Sequence, residues 1–558
     1  MNKYRKTAVA AFVGVFLGAV FSSSAQIGHG GTPQSFRKSA ISPQIDFELL
    51  PYLNNEILLE EEIATVSKQE GFTFGKEMEV DYSLENSGQW ETLSNGGRLW
   101  RLGVQSTGAY SLNLVFDSFY IPANSNLFIY TDDRSFMMGS FTQKNNNQWG
   151  NFATSLFPGD AIVLEYYEAP QDYGQGIIHL TTIVHGYKDF FFKKGTYGSS
   201  QQCNVDANCE DGNKYPNAKR ATALILRGGS AYCSGTLVNN TAQNGRPYFL
   251  TANHCVNYNL NYTLEPGEID GVKSWVFVFN YESTDCGQTT EKTSYSINGA
   301  TWLASDFHSD FALLLLNDKP TEEFNAYYAG WDRRNISTTG AFCFHHPSGD
   351  IKRFSKNKKL LESSKFEDDN DSYPNNTHWE VTSWDTGTTE GGSSGSALFN
   401  VLEQIIGQLE GGSVERCRGT QPSKGNDFYG KFSYSWKNIS GSDKKNCLEY
   451  WLDSLKTGAE VLQGYDPYFS KSVAINDFQD AIAKISLSPN PANDRVSIET
   501  STQILSCKIA AINGQQIKTE TINSHSADLN IKDLPSGIYI MEIQTENGNV
   551  HKKLVIQR

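Results

Sequence analysis

The sequence predicts a mainly β protein of several domains. The 558 residues leave room for several cores at roughly 150 residues each. Short runs such as LWRLGVQ, YSLNLVF, ALILRG and SGIYIMEI alternate apolar with polar positions between Gly, Asn, Asp and Pro clusters, as strands do. The texture also changes along the chain, with cysteines concentrated in its middle part.

Residues 1–25 read as a secretory signal. Lys3, Arg5 and Lys6 precede the apolar run AVAAFVGVFLGAVF, and SSSA offers small residues before a cut between Ala25 and Gln26. That run is too short to span a bilayer comfortably, and no later one approaches the roughly 18 residues of a membrane helix. The mature chain is therefore expected to have no transmembrane segment. Outside the reducing cytosol its nine cysteines are disulfide candidates, and an odd number leaves at least one unpaired. Zinc would require paired CxxC-type spacing, which is missing, so no metal is expected. A net charge of −15 argues against a nucleic-acid partner, because a polyphosphate is drawn to a basic footprint.

Residues 26–194 carry strand-like pieces, including NLFIYTD and AIVLEYYE, in the pattern of an antiparallel β-sandwich. The stretch LPYLNNEILLEEEIATVSK supplies one helix with a solvated acidic face. No catalytic constellation is visible there. Residues 195–464 form a β-rich domain of enzyme size, with strands such as WVFVFNY and DFALLLL and a closing helix in LEYWLDSLKTG. A linker, residues 465–483, leads to a small C-terminal β-sandwich, residues 484–558. The last segment resembles the sorting domain of the type IX secretion system of Bacteroidota, through SPNPANDRVSI, INGQQI, SGIYIMEI and the basic ending HKKLVIQR. The resemblance implies the type IX machinery as a partner and a location outside the cell or on its outer surface.

The chemistry concentrates in the middle domain. His254 ends an apolar strand in YFLTANHC and is followed at once by Cys255, whose disulfide would fix the backbone that a general base needs held. A neutral imidazole base requires an acceptor on its far nitrogen. Asp310, at the head of the strand in SDFALLLLND, is the best candidate. Asp306 lies in a polar loop without a strand to anchor it, and Asp318 reads as part of a turn before Lys319-Pro320. In EGGSSGSALFN, glycines flank Ser394 and allow the backbone N–H groups of Gly392 and Ser394 to converge on an oxyanion. The packed strands ALFN and EQIIGQLEGG that follow argue against a flexible linker.

The order His254, Asp310, Ser394 is that of chymotrypsin-like proteases, and no GxSxG elbow supports an α/β-hydrolase. Residues 195–464 resemble the bacterial lysyl endopeptidases of the Achromobacter protease I type, chymotrypsin-fold serine proteases. The carrying motifs are CSGTLVNN, YFLTANHC, SDFALLLL, HHPSGDIK, TEGGSSGSALF, GQLEGG and NDFYGKF. The resemblance implies a chymotrypsin-like double β-barrel, with His254 as base, Asp310 as its orienting acid and Ser394 as nucleophile. It also implies the disulfides Cys203–Cys417, Cys209–Cys286 and Cys233–Cys255. Cys343, Cys447 and Cys507 remain, with a Cys343–Cys447 bond left open because spacing does not establish contact.

Substrate choice is expected to follow charge. The resemblance places Asp427 of GNDFYG at the floor of the primary pocket, where a basic side chain would satisfy a carboxylate that an apolar one leaves unpaired. Charge alone gives Lys or Arg; the choice of lysine comes from the resemblance. Where the family type has histidine, GQLEGG has Glu410, on a strand bordering the substrate. Cleavage after Lys193 or Lys194 in FFFKKGTYG would separate the sandwich as a pro-region. Trypsins pair the new N-terminus with an aspartate before the nucleophile; Ser393 stands there, so that ion pair is unavailable and the pro-region is expected to act as a folding aid or steric cover. The expected function is a secreted serine endopeptidase cutting after lysine in peptide or protein substrates, without a cofactor. The alternatives are an Arg- or Arg/Lys-specific protease, and a non-catalytic surface protein with a protease-like domain.

Overall fold

The computed structural model describes residues 25–37, 41–42, 44–65, 72–189, 200–259, 263–287, 294–366, 374–413, 417, 419–422, 424–437, 443–468, 485–511, 516–545 and 548–558. Residues 1–24 of the signal segment, Lys193, Lys194 and most of the linker lie outside them. Two compact units are present, residues 1–466 and 467–558.

The N-terminal part of the first unit is built from two sheets. One contains Ser111–Tyr120 between Ile177–Gly186 and Phe152–Ala153; the other places Ala161–Glu168 between Arg98–Gln105 and Asn126–Thr131. Alternation of period two turns Trp100, Leu102 and Val104 of one sheet, and Leu112, Leu114 and Phe116 of the other, into a shared core. Helix Asn55–Thr65 forms within the acidic stretch, with Asn54 Oδ1 accepting the N–H of Glu56 at its start.

Two further sheets make up the part that follows. The first includes Thr222–Arg227, Ser230–Val238, Tyr248–Ala252 and Phe311–Leu316; the second includes Thr339–His345, Ala397–Asn400, Gln404–Gly412, Lys424–Lys431 and His378–Ser383. Tyr248, Leu250, Phe311 and Leu313 of the first meet Phe342, Phe344, Phe354 and Phe399 of the second in one apolar cluster. That seam brings the strand ends carrying His254 and Asp310 to the loop carrying Ser394. The closing helix is shorter than its pattern suggests, only Glu449–Leu452. Asp453 ends it by accepting from the N–H groups of Thr457 and Gly458, at 2.8 Å each, so its carboxylate competes for donors a longer helix would use.

Disulfides join Cys203 to Cys417, Cys209 to Cys286 and Cys233 to Cys255. Cys343, Cys447 and Cys507 are buried free thiols. The open Cys343–Cys447 pairing is thus not made: Cys343 packs with Trp384, Leu409 and Tyr429, while the Cys447 thiol donates to the carbonyl of Asp443 at 3.2 Å. In the second unit, Arg495–Ala511 lies between Gln516–Asn530 and Gly537–Thr545 around a core of Val496, Ile498, Ile509, Met541 and Leu554. No helix among the described residues is long and apolar enough to cross a membrane.

The N-terminal sandwich is fastened to the first sheet of the part that follows. Phe72–Thr73 adds to the edge of Ser230–Val238, and the N–H groups of Phe74 and Gly75 both donate to the carbonyl of Gly229. Phe74 is fully buried among Val184, Leu224, Leu226, Val276 and Ile351. Replacing Phe74 by Ala should cost about 3–5 kcal/mol, as for other large aromatic truncations in cores. A lower midpoint of urea unfolding would check it.

Candidate active site

His254 sits on a single helical turn, Asn253–Val256, that directly continues strand Tyr248–Ala252. Pairing of Ala252 with Phe311 brings this turn beside Asp310, and the Cys233–Cys255 disulfide ties it to the neighbouring strand. Asp310 is 2% exposed and adopts φ +49°, a left-handed conformation that Asp tolerates better than most residues. Its carboxylate receives the main-chain N–H of His254 at 2.9 Å on Oδ1 and the Nδ1–H at 2.8 Å on Oδ2, while its carbonyl receives the N–H of Asn253 at 2.7 Å. With Nδ1 protonated toward Asp310, Nε2 is left as the acceptor face of the neutral ring. Burial disfavours the imidazolium, but the charge and hydrogen bond of Asp310, joined by the charge of Glu410, outweigh it and raise the His254 pKa above its usual 6.5.

Asp306 and Asp318, the competing acids, lie elsewhere. Asp306 is not in an unanchored loop: it ends strand Ala300–Asp306, and its carboxylate accepts the N–H of Ser309 at 3.2 Å, bracing the turn that presents Asp310. Asp318 lines a polar cavity of about 190 Å³ with Asn145 and Asn298.

Ser394 is half-buried, and its carbonyl accepts from the N–H of Ser234 at 2.8 Å. Gly395, at φ +79°, packs so closely that a Cβ there would lie 2.2 Å from Thr251 Oγ1 and 2.7 Å from Ala252 N. The Ser394 loop therefore rests on the strand that ends at His254. No hydrogen bond joins Ser394 to His254 among the described residues, and such contacts commonly close only once substrate is bound. Gly392 has φ +88°, and its carbonyl is turned onto Ser234 Oγ at 2.8 Å. Among the described residues the N–H groups of Gly392 and Ser394 donate to no protein acceptor, whereas those of Ser393, Gly395 and Ser396 do.

Several supporting residues escape sequence reasoning. Ser393 is fully buried and bonded at 2.8 Å to Nδ1 of buried His345. Ser355 Oγ–H is committed to the carbonyl of Thr388 at 2.8 Å, so His345 donates from Nε2 to Ser355 at 3.1 Å and accepts from Ser393. Ser393 Oγ in turn accepts the N–H of Glu390 at 3.1 Å. Burial, aided by the charge of Arg353, pushes the His345 pKa down to about 3, so this relay is neutral. Glu390 accepts from the N–H of Gln201 at 2.8 Å and from Ser348 Oγ at 3.0 Å. The doubled histidine in HHPSGD and the glutamate in TEGGSS were the only signals available.

Asp427 is 1% exposed. Oδ2 receives Trp384 Nε1–H at 2.6 Å and Thr389 Oγ1–H at 2.7 Å, and Oδ1 has no partner among the described residues. Burial raises its pKa from 3.8 to about 6, with the Thr389 and Trp384 bonds pulling the other way. Gly412 pairs with it, and a Cβ at that position would sit 2.4 Å from Oδ1. Glu410 accepts from His378 Nε2 at 2.6 Å. Lys194 lies outside the described residues.

Residues 197–430 match the family described as lysyl endopeptidase, C-terminal domain, and residues 486–557 the secretion system C-terminal sorting domain. The latter marks the chain for secretion to the extracellular space or cell surface. A lysyl endopeptidase of Pseudomonas aeruginosa is 29% identical over 304 residues, which cover 51% of this chain and 62% of that protein. The chain thus spans under two thirds of the curated relative it matches. Among solved structures, neuropsin, a serine protease of mouse brain, is 15% identical, with 41% of this chain and 95% of that one covered and a TM-score of 0.28. Rv3671c of M. tuberculosis is 12% identical over 39% of this chain and 84% of that one, with a TM-score of 0.25.

Two outcomes follow from this geometry. Gly395→Ala would drive the Ser394 loop off the His254 strand, and displacements near 1 Å cost roughly a hundredfold in rate; the loss should appear in kcat with an intact thermal transition. Asp427, with its folded pKa raised, keeps a proton that the unfolded chain releases between pH 3.8 and about 6. Stability is therefore lost as pH rises through that window, by about 3 kcal/mol above it. Asp427→Asn should be more stable than the parent at pH 8 and no more stable near pH 3; equal stabilities at pH 8 would contradict this.

Proposed function

We propose that the chain is a secreted serine endopeptidase that cleaves on the carboxyl side of lysine through His254, Asp310 and Ser394. The observation that carries the reading is the double hydrogen bond from His254 to Asp310 beside the Ser394 loop. The lysyl endopeptidase match across residues 197–430 supports it and favours an enzyme over a surface module that has lost its chemistry.

His254 Nε2 takes the proton from Ser394 as Oγ attacks the scissile carbonyl. Asp310 holds the ring by its Nδ1–H and stabilises the imidazolium as it forms. The Gly392 and Ser394 N–H groups receive the oxyanion. His254 then protonates the leaving amine, and water, deprotonated by the same ring, releases the acyl group. No cofactor enters this sequence. Asp427 selects the side chain before the scissile bond: an ammonium would engage Oδ1, whereas an apolar side chain would leave it buried without a partner. Cleavage after Lys194 by the enzyme itself would free the N-terminal sandwich, which serves as a folding aid or steric cover. Export is through the type IX machinery, directed by the C-terminal domain.

A mixed peptide library digested by the parent and by Ser394→Ala provides the test. Cuts after lysine in the parent alone are expected; equal patterns would return the chain to a binding role, and cuts after arginine would reassign the specificity. The acid limb of kcat/KM should lie above pH 6.5, because the base must be neutral and its pKa is raised. In Ser394→Ala protein, the 193–195 segment should remain uncut; trimming there by the purified variant would rule out self-processing.

A further inference from the structure

Glu410 is the extra residue of a β-bulge. Leu409 pairs with Tyr429 and Gly411 with Phe428, so two steps along Gln404–Gly412 face one along Lys424–Lys431. Bulges near active sites re-aim a side chain. Here the carboxylate is fixed by buried His378, whose Nδ1 accepts the N–H of Phe366 at 3.3 Å while Nε2–H donates to Glu410 at 2.6 Å. Burial pushes the His378 pKa down to about 3, so its ring sets the carboxylate's direction without adding positive charge.

The faces of this strand are distinct. Gln408 donates from Nε2 to the carbonyl of Ser309 at 2.6 Å, beside Asp310, and Glu410 follows two residues on. The pull of the Glu410 charge on the His254 imidazole agrees with that placement. Leu409 turns the other way, into the cluster containing Trp384, the residue that donates to Asp427. On its Ala397–Asn400 side the ladder stops at Leu409, which is bonded to Gly395 and Ser396. Glu410–Gly412 then continue past the Ser394 loop, and a Cβ on Gly411 would meet nothing closer than the Phe366 ring at 3.9 Å. An extended peptide can add along this edge, and successive side chains of such a strand point to opposite faces. A side chain directed to Asp427 is therefore preceded by one directed to the face of Glu410 and His254.

We propose that Glu410, held by His378, forms an acidic subsite for the residue immediately before the scissile lysine, so that the enzyme prefers two consecutive basic residues. This rests on the reading of the chain as a lysine-directed protease. The chain offers such a sequence itself: Lys193 precedes Lys194 at the boundary between the sandwich and the protease region.

Peptides differing only in the residue before the lysine, as Lys-Lys, Ala-Lys and Glu-Lys, test it. The full-length parent should cleave Lys-Lys about tenfold better in kcat/KM than Ala-Lys, equivalent to about 1.4 kcal/mol, with Glu-Lys poorest. In Glu410→Gln the Lys-Lys to Ala-Lys ratio should fall toward one. Because the ratio is taken within each protein, a general loss of activity cannot imitate that change. The parent's preference should also weaken in high salt, as an ion pair does. Cleavage after lysine with no preference in the parent, or a ratio unchanged in Glu410→Gln, overturns the subsite alone. Absence of Ser394-dependent cleavage of all three peptides overturns the underlying reading with it.

Discussion

The double contact between His254 and Asp310 is the constraint on which the rest of the site depends. A carboxylate bonded only to the ring would leave the imidazole free to swing. One that also takes the main-chain N–H of the same residue fixes backbone and ring together. It requires two strands in register, Ala252 opposite Phe311, and a tight turn that Asp310 completes with positive φ. The apolar residues of YFLTA and FALLLL supply that register by burial. Packing of the first sheet thus becomes angular precision at the imidazole.

The Ser394 loop is stabilised without an ion pair at the residue before the serine. Ser393 enters a neutral relay through His345 and Ser355 to Thr388, while Glu390 receives the main-chain N–H of Gln201 near the start of the matched stretch 197–430. Gln201 is bound a second time, its side chain accepting from Cys417 N–H at 2.7 Å beside the Cys203–Cys417 disulfide. All these contacts exist with the N-terminal sandwich attached through Phe72–Gly75. A charge relay waiting for a new N-terminus has no counterpart among them. This is consistent with the proposal that the N-terminal region acts through access and folding.

How much of this the sequence discloses depends on the range of the interaction. The strand runs, the His254–Asp310 partnership and the serine loop are legible because each is written in a short pattern: an alternation, a strand end, a glycine cluster. His345, Glu390 and His378 are not, since each acts through a residue far away in the chain that only the fold brings near. The short closing helix shows a second, local limit. Apolar spacing in LEYWLDSLKTG favours a helix, but Asp453 captures the N–H groups of Thr457 and Gly458, a competition that spacing does not display. Asp306 was misplaced for a similar reason, because its anchor is the N–H of Ser309 within the turn itself.

Asp427 and Glu410 are held in opposite ways, and the difference bears on the roles proposed for them. Asp427 is buried with one oxygen unbonded and a pKa raised to about 6, so at neutral pH it is a charge the fold tolerates at a cost in stability. In the proposed reading a cation entering beside it would recover that cost as binding energy, which would make discrimination against uncharged side chains large. Glu410 lies on the neighbouring strand, Gln404–Gly412, and is directed by a hydrogen bond from a neutral ring. In the proposed reading it would bias the choice among lysine-containing sequences without deciding whether lysine is accepted. Gly412 pairs with Asp427 two positions beyond the bulged Glu410, so two adjacent strands hold the two carboxylates near one edge, where the proposed reading assigns them to two consecutive substrate side chains.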